Sequence, residues 1–235
     1  MHWSQNQTIQ FNMETFIQET MLEDTSICDK LIEYHQKNME YKGKGQSSNN
    51  ENAKISTDVT VFIGNKNKII HSYLLEVVKS VSLYLKKYNL ESMFAITLRE
   101  SFNIQHYAPN EGFLGWHCER SQTQTNQRAL VFMTYLNDVT DGGETEYYFQ
   151  KLKVKPVKGK MVVWPTDFTH LHRGITSPTQ EKYIATGWYN FVDITEQHKI
   201  HQQKLQKSYE KDGFNYFSKE HKLNQKPLEQ FSDKK

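Results

Sequence analysis

The chain has 235 residues, of which 37% are hydrophobic and 13% aromatic, and its formal net charge at pH 7 is +2. This length favours one domain with an appendage, and the near-neutral charge gives no electrostatic reason to expect nucleic acid or an anionic membrane as a partner. The first ten residues lack the apolar core of a secretory signal, and the longest apolar run, residues 129–133, is too short to cross a bilayer.

The two cysteines are far apart in the sequence and provide no disulfide framework. Few cysteines and no targeting segment are typical of a protein from a reducing compartment. We therefore expect a cytoplasmic protein without a membrane partner, and the sequence leaves its oligomeric state open.

The N-terminal part of the chain predicts two helices and two strands. Residues 16–22 predict an edge strand, and a short helix follows it. Between residues 41 and 53 Gly, Ser, Asn and Lys dominate, which predicts a surface loop, with a lid over a substrate cleft as the alternative. A strand over 56–63 then leads into a strongly amphipathic helix from about 69 to 88, which should support the core.

After the second helix the pattern changes to short strands separated by turns. The predicted strands cover 96–99, 102–107, 113–119, 129–136, 145–154, 160–164, 170–173 and 182–192. Strands at this spacing, without helices between them, favour an all-β sandwich or barrel. Because 129–133 is apolar on both faces, that strand should be covered on both sides. We therefore predict a mainly β fold with supporting helices (α+β), a jelly roll whose N-terminal helices pack on one sheet.

His117 and Glu119 could both bind one metal ion. On an extended backbone, residues two apart point to the same side. A histidine from a later strand, His170 or His172, would complete two imidazoles and one carboxylate, the ligand set of non-heme Fe(II) oxygenases. The His-x-Glu spacing alone is weak evidence, since the chain has ten histidines. A hydrolytic zinc site could use the same groups, and a non-catalytic binding module on the same fold is a further alternative.

Four segments carry a family resemblance. They are Tyr-Ala-Pro-Asn-Glu-Gly over 107–112, the strand and Gly-Gly-Glu-Thr turn over 128–145, Lys-Pro-Val-Lys-Gly-Lys over 155–160, and the interval from His172 to Trp188. Residues 102–192 with these segments resemble the 2-oxoglutarate/Fe(II)-dependent dioxygenases, specifically the prolyl 4-hydroxylase-like branch. The resemblance implies a double-stranded β-helix.

We expect one dioxygenase domain over residues 1–193. It would consist of N-terminal helical support over about 14–90 and a catalytic β core over about 94–193. A polar, Lys-rich C-terminal extension over 194–235 would follow it.

The resemblance implies that His117, Glu119 and His172 are the iron ligands. The family usually has Asp at the acidic position, so Glu119 departs from it by one methylene. An acid at this position favours hydroxylation over halogenation. His172 is preferred to His170 because Lys182 lies ten residues after His172, which is the family's interval to its 2-oxoglutarate-binding base.

The other site residues are also implied by the resemblance. Lys182 would pair with the far carboxylate of 2-oxoglutarate, since a buried anion needs a cation. Tyr107 and Thr145 resemble the hydroxyl partners of this cosubstrate, although Tyr107 stands ten residues before the first histidine ligand, one more than expected. Arg128 and Trp188 match positions that line the substrate groove, and their alternative roles are a strand-edge arginine and a core tryptophan.

The sequence therefore predicts an Fe(II)- and 2-oxoglutarate-dependent dioxygenase, with O2 as a cosubstrate and ascorbate as an open further cofactor. By resemblance its target is a prolyl residue of a peptide or protein, and succinate and CO2 would be released. Another protein side chain or a small molecule is the alternative target. A binding module or a metal hydrolase is the alternative class.

Overall fold

The structure is a computed structural model that describes residues 14–38, 42–44 and 53–192. Its helices are α1 (Ser26–Lys37) and α2 (Lys68–Lys87). Its strands are β1 (Gln18–Met21), β2 (Lys42–Lys44), β3 (Thr57–Val61), β4 (Ile96–Leu98), β5 (Phe102–Tyr107), β6 (Arg128–Tyr135), β7 (Thr145–Tyr147), β8 (Leu152–Val154), β9 (Lys160–Pro165), β10 (His172–Gly174) and β11 (Lys182–Phe191). The predicted extension over 194–235 lies outside these residues.

The strands form two antiparallel sheets. The large sheet has the order β1-β9-β6-β11-β5-β3-β2, and β4 pairs with β11. The small sheet has the order β10-β7-β8. The predicted mainly β fold with supporting helices is confirmed. None of the helices within the described ranges is both long and apolar enough to cross a membrane.

Both helices pack on one face of the large sheet. Asn67 caps the N-terminus of α2, because its side chain accepts a hydrogen bond from the backbone N–H of Ile69 at 2.8 Å. Buried apolar side chains recur every three or four residues along α2 and share a core with the large sheet; these include Ile70, Tyr73, Leu74, Val77, Val81, Phe102, Phe132 and Ala185. The predicted packing of the helices on one sheet is therefore confirmed.

The opposite face of the large sheet forms a second core with the small sheet. Its members are Ile17, Tyr107, Val131, Met133, Tyr135, Tyr147, Val154, Val162, Trp164 and Ile184. Alternate residues of β6 thus enter different cores, Phe132 on the helix side and Val131 on the small-sheet side. This confirms the prediction that the apolar run 129–133 is covered on both faces.

The predicted strand over 113–119 is wrong. The segment has only isolated bridges, which pair Phe113 with Lys54 and His117 with His172. The segment forms no regular ladder because its backbone N–H groups bond to three different parts of the chain, namely Leu114 to Ala53, His117 to His172, and Glu119 to Thr166.

Two other strand predictions need correction. Residues 145–154 form the hairpin of β7 and β8, with Thr145 opposite Val154, because the chain reverses at a turn in which Lys151 has a φ of 52°. Residues 168–170 form a 3-10 turn and only 172–174 form a strand. Within the predicted loop 41–53, residues 42–44 form β2, which pairs with β3.

Residues 53–61 pass from one sheet to the other. Lys54 bridges Phe113, and the Phe113 carbonyl accepts a 2.7 Å hydrogen bond from the N–H of Gly174 in the small sheet. A few residues later the same chain pairs with β5 of the large sheet as β3. Residues 53–61 therefore link the two sheets through backbone contacts.

Gly187 on β11 has no room for a side chain. A Cβ at this position would lie 2.5 Å from the ring of Phe132 and 2.7 Å from the Cβ of Phe102. We expect Gly187→Ala to lower the free energy of unfolding by about 1–3 kcal/mol, the usual range for overpacking a core. Urea denaturation measures this change. Phe132→Leu in the same chain should relieve part of the loss, so strictly additive effects would contradict this explanation.

Candidate metal centre

Backbone pairing brings His117 and His172 together. The N–H of His117 donates to the carbonyl of His172 at 3.0 Å, and the N–H of His172 donates to the carbonyl of His117 at 2.9 Å. The centroids of the two rings are 4.3 Å apart. Residues 55 positions apart in the sequence are therefore held side by side by two backbone hydrogen bonds.

Glu119 completes a compact group with the two histidines. Its Oε1 lies 3.6 Å from Nε2 of His117 and 3.4 Å from Nε2 of His172. One possible ligand atom from each of the three residues lies within 4.8 Å of the others. Ligands bound at right angles to one ion at about 2.1 Å would be roughly 3 Å apart. The donor set and its spacing therefore fit a divalent metal with two imidazoles and one carboxylate.

The other ring nitrogens fix the histidine tautomers. Nδ1 of His117 lies 2.8 Å from the carbonyl oxygen of Gly115, and Nδ1 of His172 lies 2.9 Å from that of His170. A carbonyl oxygen only accepts hydrogen bonds, so each Nδ1 carries the proton. Each Nε2 then directs its lone pair toward Glu119, as metal binding requires.

Burial and neighbouring groups shift the pKa values of His117 and Glu119 toward the ionisation states that metal binding needs. Burial lowers the pKa of His117, and the nearby His172 lowers it further. Burial opposes the ionised form of Glu119, but the neighbouring His117 and His172 hold its pKa well below the usual value. Neutral imidazoles and an ionised carboxylate are the forms that bind a metal ion.

The second carboxylate oxygen of Glu119 is held from the opposite side. Nε1 of Trp188 donates to Oε2 at 3.0 Å, and Nη1 of Arg128 lies 3.5 Å from the same atom. The backbone N–H of Glu119 donates to the carbonyl of Thr166 at 3.1 Å. These contacts show how the longer glutamate is accommodated: one oxygen faces the histidines while the other is anchored.

Arg128 is itself fixed by its neighbours. Its Nη2 lies 2.6 Å from Oε2 of Glu100, and its guanidinium carbon lies 3.6 Å from the centre of the Trp188 ring. Sequence reasoning assigned Arg128 and Trp188 to a substrate groove. The structure places both beside Glu119, where their observed contacts orient that carboxylate, and a contact with substrate stays a prediction.

Lys182 is a buried cation on the inner face of β11, with 5% of its surface exposed. Its Nζ donates to the carbonyls of Gly143 at 3.1 Å and Ile175 at 3.5 Å. An ammonium group has three N–H donors, so these two bonds leave one available. Burial lowers the pKa of Lys182 to about 8. The site therefore combines a desolvated ammonium with spare donor capacity, which suits an anionic ligand.

Tyr107 lies next to this lysine, and Thr145 pairs with Gly174, where an added Cβ would lie 3.6 Å from Nζ of Lys182. Tyr107 is the cross-strand partner of Lys182, and Nζ lies 4.9 Å from the centre of its ring. Oγ1 of Thr145 accepts a 2.6 Å hydrogen bond from the hydroxyl of Tyr135. Sequence reasoning missed Tyr135, although its alternation along β6 with Val131 would have directed it to this side of the sheet.

His170 faces away from the metal centre. Its Nε2 lies 3.0 Å from the carbonyl oxygen of Thr15 and its Nδ1 lies 3.0 Å from Oγ1 of Thr169. Because the predicted strand over 170–173 begins only at His172, His170 lies in the preceding 3-10 turn and its side chain has other partners. What His170 provides at the centre is its carbonyl group, which orients His172.

Comparison with known sequences identifies related proteins. Residues 102–190 match the sequence model of the 2OG-Fe(II) oxygenase superfamily. Over 123 residues the chain is 32% identical to probable prolyl 4-hydroxylase 9 of Arabidopsis thaliana, covering 41% of this chain and 43% of that protein. The chain thus spans less than half the length of this relative.

Comparison with solved structures identifies proteins of similar fold. A prolyl-4-hydroxylase from Pseudomonas putida matches with a TM-score of 0.59 and 16% identity, covering 76% of this chain and 94% of that one. A prolyl hydroxylase from Trichoplax adhaerens, solved with a peptide fragment of the hypoxia inducible factor oxygen degradation domain, matches with a TM-score of 0.57 and 15% identity, covering 75% of this chain and 84% of that one. At these identities the likeness concerns the fold.

Removing the indole N–H of Trp188 should weaken metal binding. Trp188→Phe keeps an aromatic ring under Arg128 but loses the hydrogen bond to Glu119, so we expect metal affinity to fall by about 10–100-fold, as for other groups that orient metal ligands. Anaerobic titration with Fe(II) or Mn(II) measures this. Trp116→Phe is the matched control, because Trp116 is 38% exposed and its ring packs against Tyr148 and Arg173. Equal affinity in both variants would contradict the proposed role of Trp188.

Proposed function

We propose that the chain is a 2-oxoglutarate-dependent dioxygenase that hydroxylates a substrate C–H bond, because residues 102–190 match the 2OG-Fe(II) oxygenase superfamily and prolyl 4-hydroxylases are among the similar proteins. The observation that carries this proposal is the group of His117, Glu119 and His172. The superfamily's cofactors are Fe(II), 2-oxoglutarate and O2, and this ligand set suits the first of them.

In the proposed enzyme, His117, Glu119 and His172 hold Fe(II). The bound iron would supply the oxidising chemistry, in which 2-oxoglutarate and O2 are consumed and succinate and CO2 are released together with a hydroxylated product. The contribution of this chain is to direct Nε2 of both imidazoles toward the metal position, to keep Glu119 ionised, and to fix the directions of all three side chains. The carbonyls of Gly115 and His170 and the indole of Trp188 provide that support.

Lys182 would pair with the carboxylate of 2-oxoglutarate that is remote from the metal. Its ammonium lies between the two sheets with two of its donors on backbone carbonyls, so a bound carboxylate would compensate its buried charge. Tyr107 and Thr145 would line the same pocket. Metal hydrolysis, the competing chemistry for the three ligands, gives no role to this buried lysine.

We propose a prolyl residue of a peptide or protein as the target, with Arg128 and Trp188 lining the substrate groove. This choice rests on the prolyl 4-hydroxylases among the relatives. Trp188 is only partly buried and its Nε1 contacts a proposed iron ligand, so a substrate that touched this ring would lie next to the metal. Another protein side chain or a small molecule is the second candidate target.

We propose that the two sheets together constitute a double-stranded β-helix. In that arrangement residues 1–193 form one dioxygenase domain, with the catalytic β core over about 94–193 and helical support over about 14–90. The Lys-rich residues 194–235 would be an extension to it.

The activity is tested by anaerobic reconstitution with Fe(II) and 2-oxoglutarate, followed by O2 and a panel of proline-containing peptides. We expect succinate to form and peptide mass to rise by one oxygen. His172→Ala and Glu119→Ala should reduce succinate formation by at least about 100-fold, because each removes a metal ligand. His71→Ala, which removes a histidine from α2, is the matched control and should retain activity.

The possible outcomes separate the parts of this proposal. Succinate formation that survives both His172→Ala and Glu119→Ala would refute the iron site. Succinate formation without oxidation of any proline peptide, compared with versions carrying alanine for proline, would refute the prolyl target and leave the enzyme class in place.

The pKa of Lys182 predicts how 2-oxoglutarate binding depends on pH. In the free protein this pKa is about 8, and a bound carboxylate would raise it by stabilising the ammonium. Below pH 8 the ammonium is already present, so affinity should be nearly constant there. Above it, binding must take up a proton, and affinity should fall by about tenfold per pH unit. Calorimetric titration of the protein with 2-oxoglutarate at several pH values measures this dependence. The Lys182→Met variant should bind 2-oxoglutarate weakly at every pH, and its affinity should not change with pH.

A further inference from the structure

A chain of hydrogen-bonded side chains leads from Lys54 to Tyr107. Nζ of Lys54 lies 2.6 Å from Oδ2 of Asp58, and Nε2 of Gln105 donates to the same oxygen at 3.1 Å. The hydroxyl of Tyr107 donates to Oε1 of Gln105 at 2.7 Å. All four side chains are buried or nearly so. This series of hydrogen bonds reaches the proposed 2-oxoglutarate pocket, since Tyr107 pairs with Lys182 across the strands.

Only one arrangement of the protons on Gln105 and Tyr107 is compatible with this series of hydrogen bonds. The carboxylate of Asp58 accepts hydrogen bonds and donates none, so the amide nitrogen of Gln105 must face it. The amide oxygen of Gln105 then faces Tyr107, and the hydroxyl proton of Tyr107 must point toward Gln105. The hydroxyl therefore presents its oxygen lone pairs, and not its proton, to the remaining surroundings, which include the side chain of Ser56.

The amide of Gln105 is prevented from turning over. Asp58 receives the ammonium of Lys54 and the hydroxyl of Ser56, the latter at 2.8 Å on Oδ1. The side chains of Lys54 and Asp58 are only 6% and 12% exposed, so this charge pair is largely shielded from water. Asp58 and Gln105 are also direct cross-strand partners in β3 and β5. A reversed amide would place its oxygen against the carboxylate, with two acceptors in contact.

We propose that Gln105 is a positioning residue that limits the affinity for 2-oxoglutarate by holding the Tyr107 proton away from the pocket. This rests on the proposed function of Lys182 and Tyr107. A carboxylate beside Lys182 can accept a hydrogen bond from Tyr107 only after the bond between Tyr107 and Gln105 has broken. Breaking it leaves a buried amide oxygen without a partner, which is unfavourable. Lys182 thus holds the cosubstrate in the wild-type protein, and Tyr107 adds little.

The test is the affinity for 2-oxoglutarate of Mn(II)-loaded protein, measured by calorimetric titration in the absence of substrate peptide. Gln105→Met keeps the side-chain length and removes the amide, while Asp58 retains Lys54 and Ser56. We expect Gln105→Met to bind 2-oxoglutarate about fivefold to tenfold more tightly, the factor associated with one ordinary hydrogen bond. A side chain with a purely structural role would weaken binding when removed.

A double-mutant cycle identifies Tyr107 as the group through which Gln105 acts. In a chain that carries Tyr107→Phe, the substitution Gln105→Met should leave the affinity unchanged, because no hydroxyl remains to be released. Thr60→Val is the matched control: it removes the hydrogen bond from Thr60 to Asn103 between the same two strands, and it should leave the affinity of the wild-type chain unchanged.

Three results would overturn the inference. The first is an affinity for 2-oxoglutarate that is weaker or unchanged in folded Gln105→Met. The second is an equal gain in affinity from Gln105→Met with and without Tyr107→Phe. The third is a loss of affinity of more than about tenfold for Tyr107→Phe alone, which would mean that Tyr107 already donates to the cosubstrate. The last result decides the question even if Gln105→Met does not fold. Wild-type protein that binds Mn(II) but no 2-oxoglutarate would instead refute the proposed function.

Discussion

The candidate centre depends on the two backbone hydrogen bonds between His117 and His172. They set the separation of the imidazoles before any metal is considered, because they hold the two backbones in register. The orientation of each ring then follows from the carbonyl that its Nδ1 faces, and the position of Glu119 follows from Trp188 and Thr166. The separation of the two imidazoles therefore rests on that pairing.

Two charged side chains near the candidate centre are buried, and a buried charge is unfavourable unless it is compensated. Glu119 and Lys182 are both withdrawn from water, and each is compensated in a different way. Oε2 of Glu119 accepts a hydrogen bond from Trp188 and lies 3.5 Å from Nη1 of Arg128, so its charge is partly compensated within the protein. Lys182 has only backbone carbonyls as hydrogen-bond acceptors among its described contacts, so it still favours an anion from outside. This difference separates a metal ligand from a cosubstrate-binding residue.

Local patterns in the sequence predicted much of the fold and of the metal centre. The apolar repeat of α2, predicted over 69–88, corresponds to the helix at Lys68–Lys87, and the two-sided apolar run at 129–133 corresponds to the doubly covered strand β6. The hairpin turn near Lys151 and the 3-10 turn before His172 were missed, because their residues also suit strands.

The polar contacts around the site could not be read from local patterns. Gln105 and Asp58 are 47 residues apart, and Arg128 and Glu100 are 28 apart. No periodicity along the chain encodes such a partnership; it exists only once the register of β3 with β5 and the path of the chain beyond β4 are set. For the same reason, Arg128 and Trp188 were recognised as site residues while their contacts with Glu119 were not.

The residues around the metal centre come from different layers of the molecule. His172 belongs to the small sheet, His117 and Glu119 lie on the segment that crosses between β5 and β6, and Trp188 belongs to the large sheet. A metal ion held by the first three would therefore join the small sheet to the segment between β5 and β6. It would act as a cross-link between these two parts of the fold, so occupancy of the centre and stability of the fold are thermodynamically linked.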